Sequence, residues 1–272
     1  MNPNPNPESD LNPNSTLSIV AVNVGNTRTA LGLFQRGSLI RSERIQNSDR
    51  SGLVAAIRAA VTELDDDSEP SIVMASVNEA VADELAAALS AQKSCELFQI
   101  GEDLAVPIGT HLDPETITGV DRLLNAAAAW ERMQGACVVV DAGTAVTVDF
   151  VDGTGIFQGG AIAPGAAMQL RSLHEGTAAL PLLRFERPDH ETFGKNTRQA
   201  MLQGVTFGIR GLVWRLVERY AEKYGAFPPV IATGGDAELV FAEDELVNRI
   251  VPDLTLLGIA AAARAAGRLE GG

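Results

Sequence analysis

Two glycine-broken hairpins constrain this chain more than anything else in it. Ile19 to Phe34 reads I-V-A-V-N-V-G-N-T-R-T-A-L-G-L-F, and Val138 to Val151 reads V-V-V-D-A-G-T-A-V-T-V-D-F-V. Each is an apolar run, an Asn or Asp, a spacer, a Gly with small polar residues, then a second β-rich run. A β-branched run interrupted by a Gly turn and resumed at once predicts a hairpin. The heads, Asn23 and Asp141, stand 118 residues apart, about one domain length. A structural glycine turn explains either copy alone. Two copies of a turn rich in small residues, N–H groups and hydroxyls point to phosphate held from both sides.

The segments between the hairpins extend the pattern. Strands are expected at Gly37–Ile45, Ser71–Val77 and Glu96–Ile100, with helices at Ser51–Leu64 and Glu79–Ser90. A helix over Asp121–Met133 precedes the second hairpin. A strand at Phe157–Ile162, helices near Ala166–Leu173 and Thr197–Tyr224, and a strand at Pro229–Thr233 follow it. A closing helix runs from Leu257 to Leu269. The repeated scheme predicts an α/β fold of two αβ halves around a ligand cleft. Residues 1–16, with repeated Asn-Pro, are expected to be a disordered tail. Residues 17–117 and 118–256 are expected as two domains, the closing helix near 257–270 joining the first.

Bulk properties exclude several classes. The net charge of −14 lacks any Lys/Arg-dense stretch, which argues against nucleic acid. No apolar run reaches the ~18 residues of a membrane span. The first residues do not form a signal peptide. Cys95 and Cys137 fit reduced thiols in a cytoplasmic protein. The three histidines share no spacing with a nucleophile, and a Walker A lysine is absent.

Smaller motifs carry both structural and chemical readings. Gly234-Gly235-Asp236-Ala237 is a tight strand-to-helix turn, with Asp236 as N-cap, or a bare backbone surface for a purine. Thr118-Gly119-Val120-Asp121-Arg122 opens a helix as a capping-box-like pair, Thr118 with Asp121. The same residues set a proton-accepting carboxylate beside a guanidinium able to clamp an acid. Gly194-Lys195-Asn196-Thr197 precedes a helix that either Asn196 or Thr197 caps.

In order, N-V-G-N-T-R, G-V-D-R, D-A-G-T-A-V-T-V-D, G-G-A-I-A-P-G, G-K-N-T and G-G-D-A resemble the type III pantothenate kinases, from about Ile19 to Ala265. These belong to the acetate and sugar kinase, heat-shock chaperone and actin superfamily. The resemblance implies a duplicated ribonuclease H-like (actin-like ATPase) fold. It also implies ATP-dependent phosphorylation of pantothenate to 4'-phosphopantothenate, the first step toward coenzyme A. On it, Asn23, Val24, Gly25, Asn26, Thr27, Arg28, Thr29 and Ala30 form the first phosphate loop, and Thr144 touches ATP. Gly234 and Gly235 lie near the adenosine. Gly119, Val120, Asp121, Arg122 and Thr197 line the pantothenate site, with Asp121 as general base. Asp141 binds a monovalent cation, K+ or NH4+, Mg2+ accompanies ATP, and the enzyme is a homodimer.

Two positions depart from the family. The first loop normally begins with Asp, and here it begins with Asn23, so a weaker hold on magnesium is expected. A Tyr usually packs on the substrate ahead of Gly-x-Asp-Arg, whereas His111-Leu112-Asp113-Pro114-Glu115 has none, Leu112 being the substitute. These departures motivate two alternatives: a catalytically weak nucleotide-binding regulatory protein, or a kinase for another small hydroxy acid.

Overall fold

The computed structural model describes residues 17–64, 70–90 and 95–270, so the expected tail lies outside the described residues. The described residues divide into two compact units: those within 17–107, 119–124 and 255–270 in the first, and residues 108–118 and 125–254 in the second.

The first unit is built on β1 (Ile19–Val24), β2 (Arg28–Gln35), β3 (Ser38–Gln46), β4 (Ser71–Ser76) and β5 (Glu96–Gln99), ordered β3-β2-β1-β4-β5. β1 pairs antiparallel with β2 and parallel with β4, so it lies centrally. Its apolar residues alternate between two buried faces. Val20, Val22 and Val24 pack on Leu53 and Ile57 of α1 (Arg50–Thr62) and on Val81 and Leu85 of α2 (Glu79–Ser90). Ile19 and Ala21 share the opposite core with Leu124, Leu256, Ile259 and Ala260. A strand covered on both faces needs continuous apolar sequence, which is why I-V-A-V lacks polar alternation.

The second unit repeats the topology. Its sheet holds β6 (Gly109–Thr110), β7 (Cys137–Ala142), β8 (Ala145–Val151), β9 (Ile156–Pro164), β10 (Val230–Thr233) and β11 (Arg249–Ile250). The order β11-β10-β7-β8-β9 mirrors β5-β4-β1-β2-β3, with β6 added beyond β9. The directions match as well: β7 runs antiparallel to β8 and parallel to β10. One face carries Val138, Val140, Val146 and Val148, packed with Leu170 of α4 (Ala166–Glu175) and Val205, Ile209 and Val213 of α5 (Thr197–Tyr224). Val240 and Phe241 of α6 (Ala237–Phe241) complete that core.

Two further helices are α3 (Val120–Met133) and α7 (Leu254–Glu270). α7 begins three residues before the expected Leu257. Gly258 lets it approach closely, since a Cβ there would lie 2.3 Å from the Leu124 carbonyl oxygen. Among the described residues no helix is long and apolar enough to cross a membrane.

Candidate functional site

Asn23, at the end of β1, faces Ala30 of β2 and Ala75 of β4. The chain then reverses through Gly25, whose N–H donates to the Arg28 carbonyl at 3.0 Å. A Cβ on Gly25 would sit 2.9 Å from that same oxygen, so the turn favours glycine. Asn26, Thr27 and Arg28 are exposed at the tip, while Thr29 is fully buried.

Asn47, a residue the sequence analysis did not single out, braces this turn. Its Nδ2 donates to the Gly25 carbonyl at 2.7 Å, its backbone N–H to the Thr27 carbonyl at 3.0 Å, and its Oδ1 accepts from Thr29 Oγ1 at 2.9 Å. Thr29 therefore spends its hydroxyl on the brace. Asn47→Ala is expected to destabilise the protein by about 1–3 kcal/mol, because buried turn groups lose their partner. It should also raise KM for ATP several-fold; urea denaturation and steady-state kinetics test both.

The second turn is tighter. Gly143 N–H donates to the Ala145 carbonyl, one residue nearer than in the first hairpin. Asp141 faces Thr147 of β8, and its Oδ2 accepts from Asn125 Nδ2 at 3.0 Å. Gly234 lies against it: a Cβ on Gly234 would be 2.4 Å from Asp141 Oδ1 and 2.3 Å from the Ala142 carbonyl oxygen. Gly165 closes the other side, a Cβ there meeting the Gly143 carbonyl oxygen at 2.1 Å. The structure thus gathers Asp141, the Thr144 tip and Gly234 within the second unit. Asp236 stands at the N-cap of α6 without a side-chain capping bond, and its N–H donates to the Ala142 carbonyl.

At the start of α3 the expected capping box is absent. Thr118 Oγ1 is buried without a hydrogen-bond partner. The Asp121 carboxylate instead folds back over its own turn, where Oδ1 accepts from the Arg122 N–H at 2.8 Å. Gly119 makes room, since a Cβ there would lie 2.7 Å from Asp121 Oδ1. Burial raises the Asp121 pKa above the ordinary carboxylate value, partly opposed by the Arg122 N–H and guanidinium. A half-buried carboxylate of raised basicity, beside a cation at a helix start, suits proton acceptance.

Thr197 is the first residue of α5, and Asn196, not Thr197, caps that helix by accepting from Gln199 N–H at 2.9 Å. Leu112 rests on Gly159 of β9, a glycine at φ +92°, with a would-be Cβ contact of 3.2 Å. The Cys137 thiol is buried and pushed up to about 12, which makes it inert.

Among the described residues no three His, Cys, Asp or Glu side chains cluster to hold a metal. A divalent ion carried by nucleotide phosphates would need few protein ligands. The orphaned, buried Asn23 Oδ1 fits that arrangement as an oxygen donor. The Asp141 carboxylate already accepts from Asn125 Nδ2, and its oxygens are hard donors of the kind that hold a cation.

Comparison with known proteins places this geometry. The family model described as type III pantothenate kinase matches residues 19–219. A type III pantothenate kinase of Anaeromyxobacter sp. (strain Fw109-5) is 35% identical over 251 residues, 89% of this chain and 96% of that protein. One of Rhodospirillum rubrum is 44% identical over 161 residues, 59% of this chain and 62% of that protein. A solved structure described as a Baf family transcriptional activator from Campylobacter jejuni covers 92% of this chain and 99% of its own, at TM-score 0.61 and 19% identity. The ethanolamine utilization protein EutJ from Carboxydothermus hydrogenoformans covers 92% of each chain, at TM-score 0.54 and 17% identity. The solved structures bear out the duplicated ribonuclease H-like fold of actin-like ATPases. The family model and the sequence relatives go further: the chain belongs to the type III pantothenate kinase family.

Proposed function

We propose that this chain transfers the γ-phosphoryl group of ATP to the primary hydroxyl of pantothenate, with Asp121 as the base. The observation that carries the reading is the Asp121 carboxylate, half-buried and of raised pKa beside Arg122, in a chain of this family. The pantothenate hydroxyl oxygen bonds to the γ-phosphorus as the bond to ADP breaks, and its proton passes to Asp121. Phosphoryl transfer asks mainly for positioning and charge neutralisation, which one base, one cation clamp and two phosphate turns provide.

Arg122 pairs with the pantothenate carboxylate, with Gly119, Val120 and Thr197 as further pantothenate-binding residues. Residues 23–30 and Thr144 hold the phosphates, and Gly234 with Gly235 lies by the adenosine. Asn23 would help hold Mg2+, which would supply charge neutralisation, and Asp141 would hold K+ or NH4+. The protein works as a cytoplasmic homodimer. Its named relatives are kinases, which favours turnover over a purely regulatory role.

A coupled ADP-release assay tests the reading. ADP release that requires pantothenate, and is not replaced by a panel of other hydroxy acids, is the expected result. Release indifferent to pantothenate, or faster with another acceptor, would overturn it.

A further inference from the structure

Asn23 Oδ1 is buried and has no hydrogen-bond partner among the described residues. Its cross-strand neighbours, Ala30 and Ala75, have side chains that can donate nothing to it. An unsatisfied buried amide oxygen is a standing cost, and an apolar residue of similar size would remove it. The position lies two residues before the Gly25 turn, on the strand that delivers the chain to the phosphate loop. An acceptor kept there without a partner has its lone pairs available for a donor that arrives with a ligand.

The charge of that acceptor matters as much as its place. A carboxylate beside a bound polyphosphate repels it until a divalent cation screens the two, so nucleotide and cation would bind strongly coupled. An amide oxygen keeps the lone pairs and removes the repulsion. Resting on the nucleotide-site reading above, we propose that Asn23 is a positioning residue that accepts from the water shell of the nucleotide-borne divalent cation. By carrying no charge, it uncouples nucleotide affinity from that cation.

Titration calorimetry with a non-hydrolysable ATP analogue, in magnesium or in EDTA, tests this on the full chain, Asn23→Asp and Asn23→Leu. In wild type, removing magnesium should weaken binding less than about fivefold. In Asn23→Asp that penalty should grow at least about tenfold further. Asn23→Leu should melt at a higher temperature without ligand, yet bind the magnesium–analogue complex at least about tenfold more weakly. An equal magnesium penalty in wild type and Asn23→Asp would overturn the uncoupling. Unchanged analogue affinity in Asn23→Leu would reduce Asn23 to a structural residue. Analogue binding in none of the three proteins would instead overturn the nucleotide-site reading itself, and this inference with it.

Discussion

Replacing Asp121 with Asn is expected to lower kcat by about 10²–10⁴-fold, the usual contribution of a positioned base, and at the same time to stabilise the protein at neutral pH. The two effects share one cause. Asn is isosteric, so its Oδ1 can still accept the Arg122 N–H that holds the Asp carboxylate. What disappears is a charge that burial disfavours. Asp121 has a folded-state pKa above the unfolded 3.8, so the folded protein binds its proton more tightly than the unfolded chain does. The cost of ionising it is therefore complete above the folded pKa and vanishes below 3.8. Wild type should lose stability relative to the variant as pH rises through that window, and the gap should close as pH falls. The acid limb of kcat against pH should also lie above that of an ordinary carboxylate. Calorimetric melts from pH 4 to 8, with steady-state rates, read all of this. A variant that keeps wild-type turnover would demote Asp121 to a helix-start residue, and one with no pH-dependent stability gain would remove the burial argument.

Gly234→Ala should be damaging where Gly235→Ala, one residue on, is mild. Gly234 has φ +96°, and its added Cβ would press on the Ala142 carbonyl oxygen at 2.3 Å and on Asp141 Oδ1 at 2.4 Å. Around Gly235 there is nothing within 4 Å of the same added atom. Left-handed strain and a backbone clash together should cost about 2–4 kcal/mol, lowering the melting temperature by roughly 5–15 °C. Displacing Asp141 should also weaken dependence on the monovalent cation. Gly235→Ala should stay within about 0.5 kcal/mol of wild type. Equal melting temperatures for the two variants would show that the second turn yields easily, contrary to its tight packing.

What could be read in advance followed from local pattern. The hairpins at Asn23 and Asp141 announce themselves because apolar runs, a Gly turn and resumed β-branched residues all lie within about sixteen positions. The order of elements then leads to the duplicated α/β fold. Asn47 could not be found that way. It lies 22 residues from Gly25, in a Gln-Asn-Ser-Asp stretch without periodicity, and reaches the turn only because β3 pairs back along β2. The strands β6 and β11, two residues each, are too short to show any alternation. Thr118 failed as a cap for a different reason: the spacing to Asp121 is right, but its buried hydroxyl accepts from no N–H of the first turn. Spacing records which bonds are feasible, and burial decides which of them form.

The division of the chain has a consequence for its synthesis. All of residues 125–254 are made before Leu256, Ile259 and Ala260, the helix residues that share a core with Ile19, Ala21 and Phe34. The earlier-encoded unit therefore waits for the last-made helix, whereas the later-encoded one ends at Leu254, the first residue of that helix. The first hairpin to be translated belongs to the last core to be closed. Until α7 is made, that face of β1 has Leu124 but not Leu256, Ile259 and Ala260 against it, so apolar surface of the strand stays incompletely covered during translation.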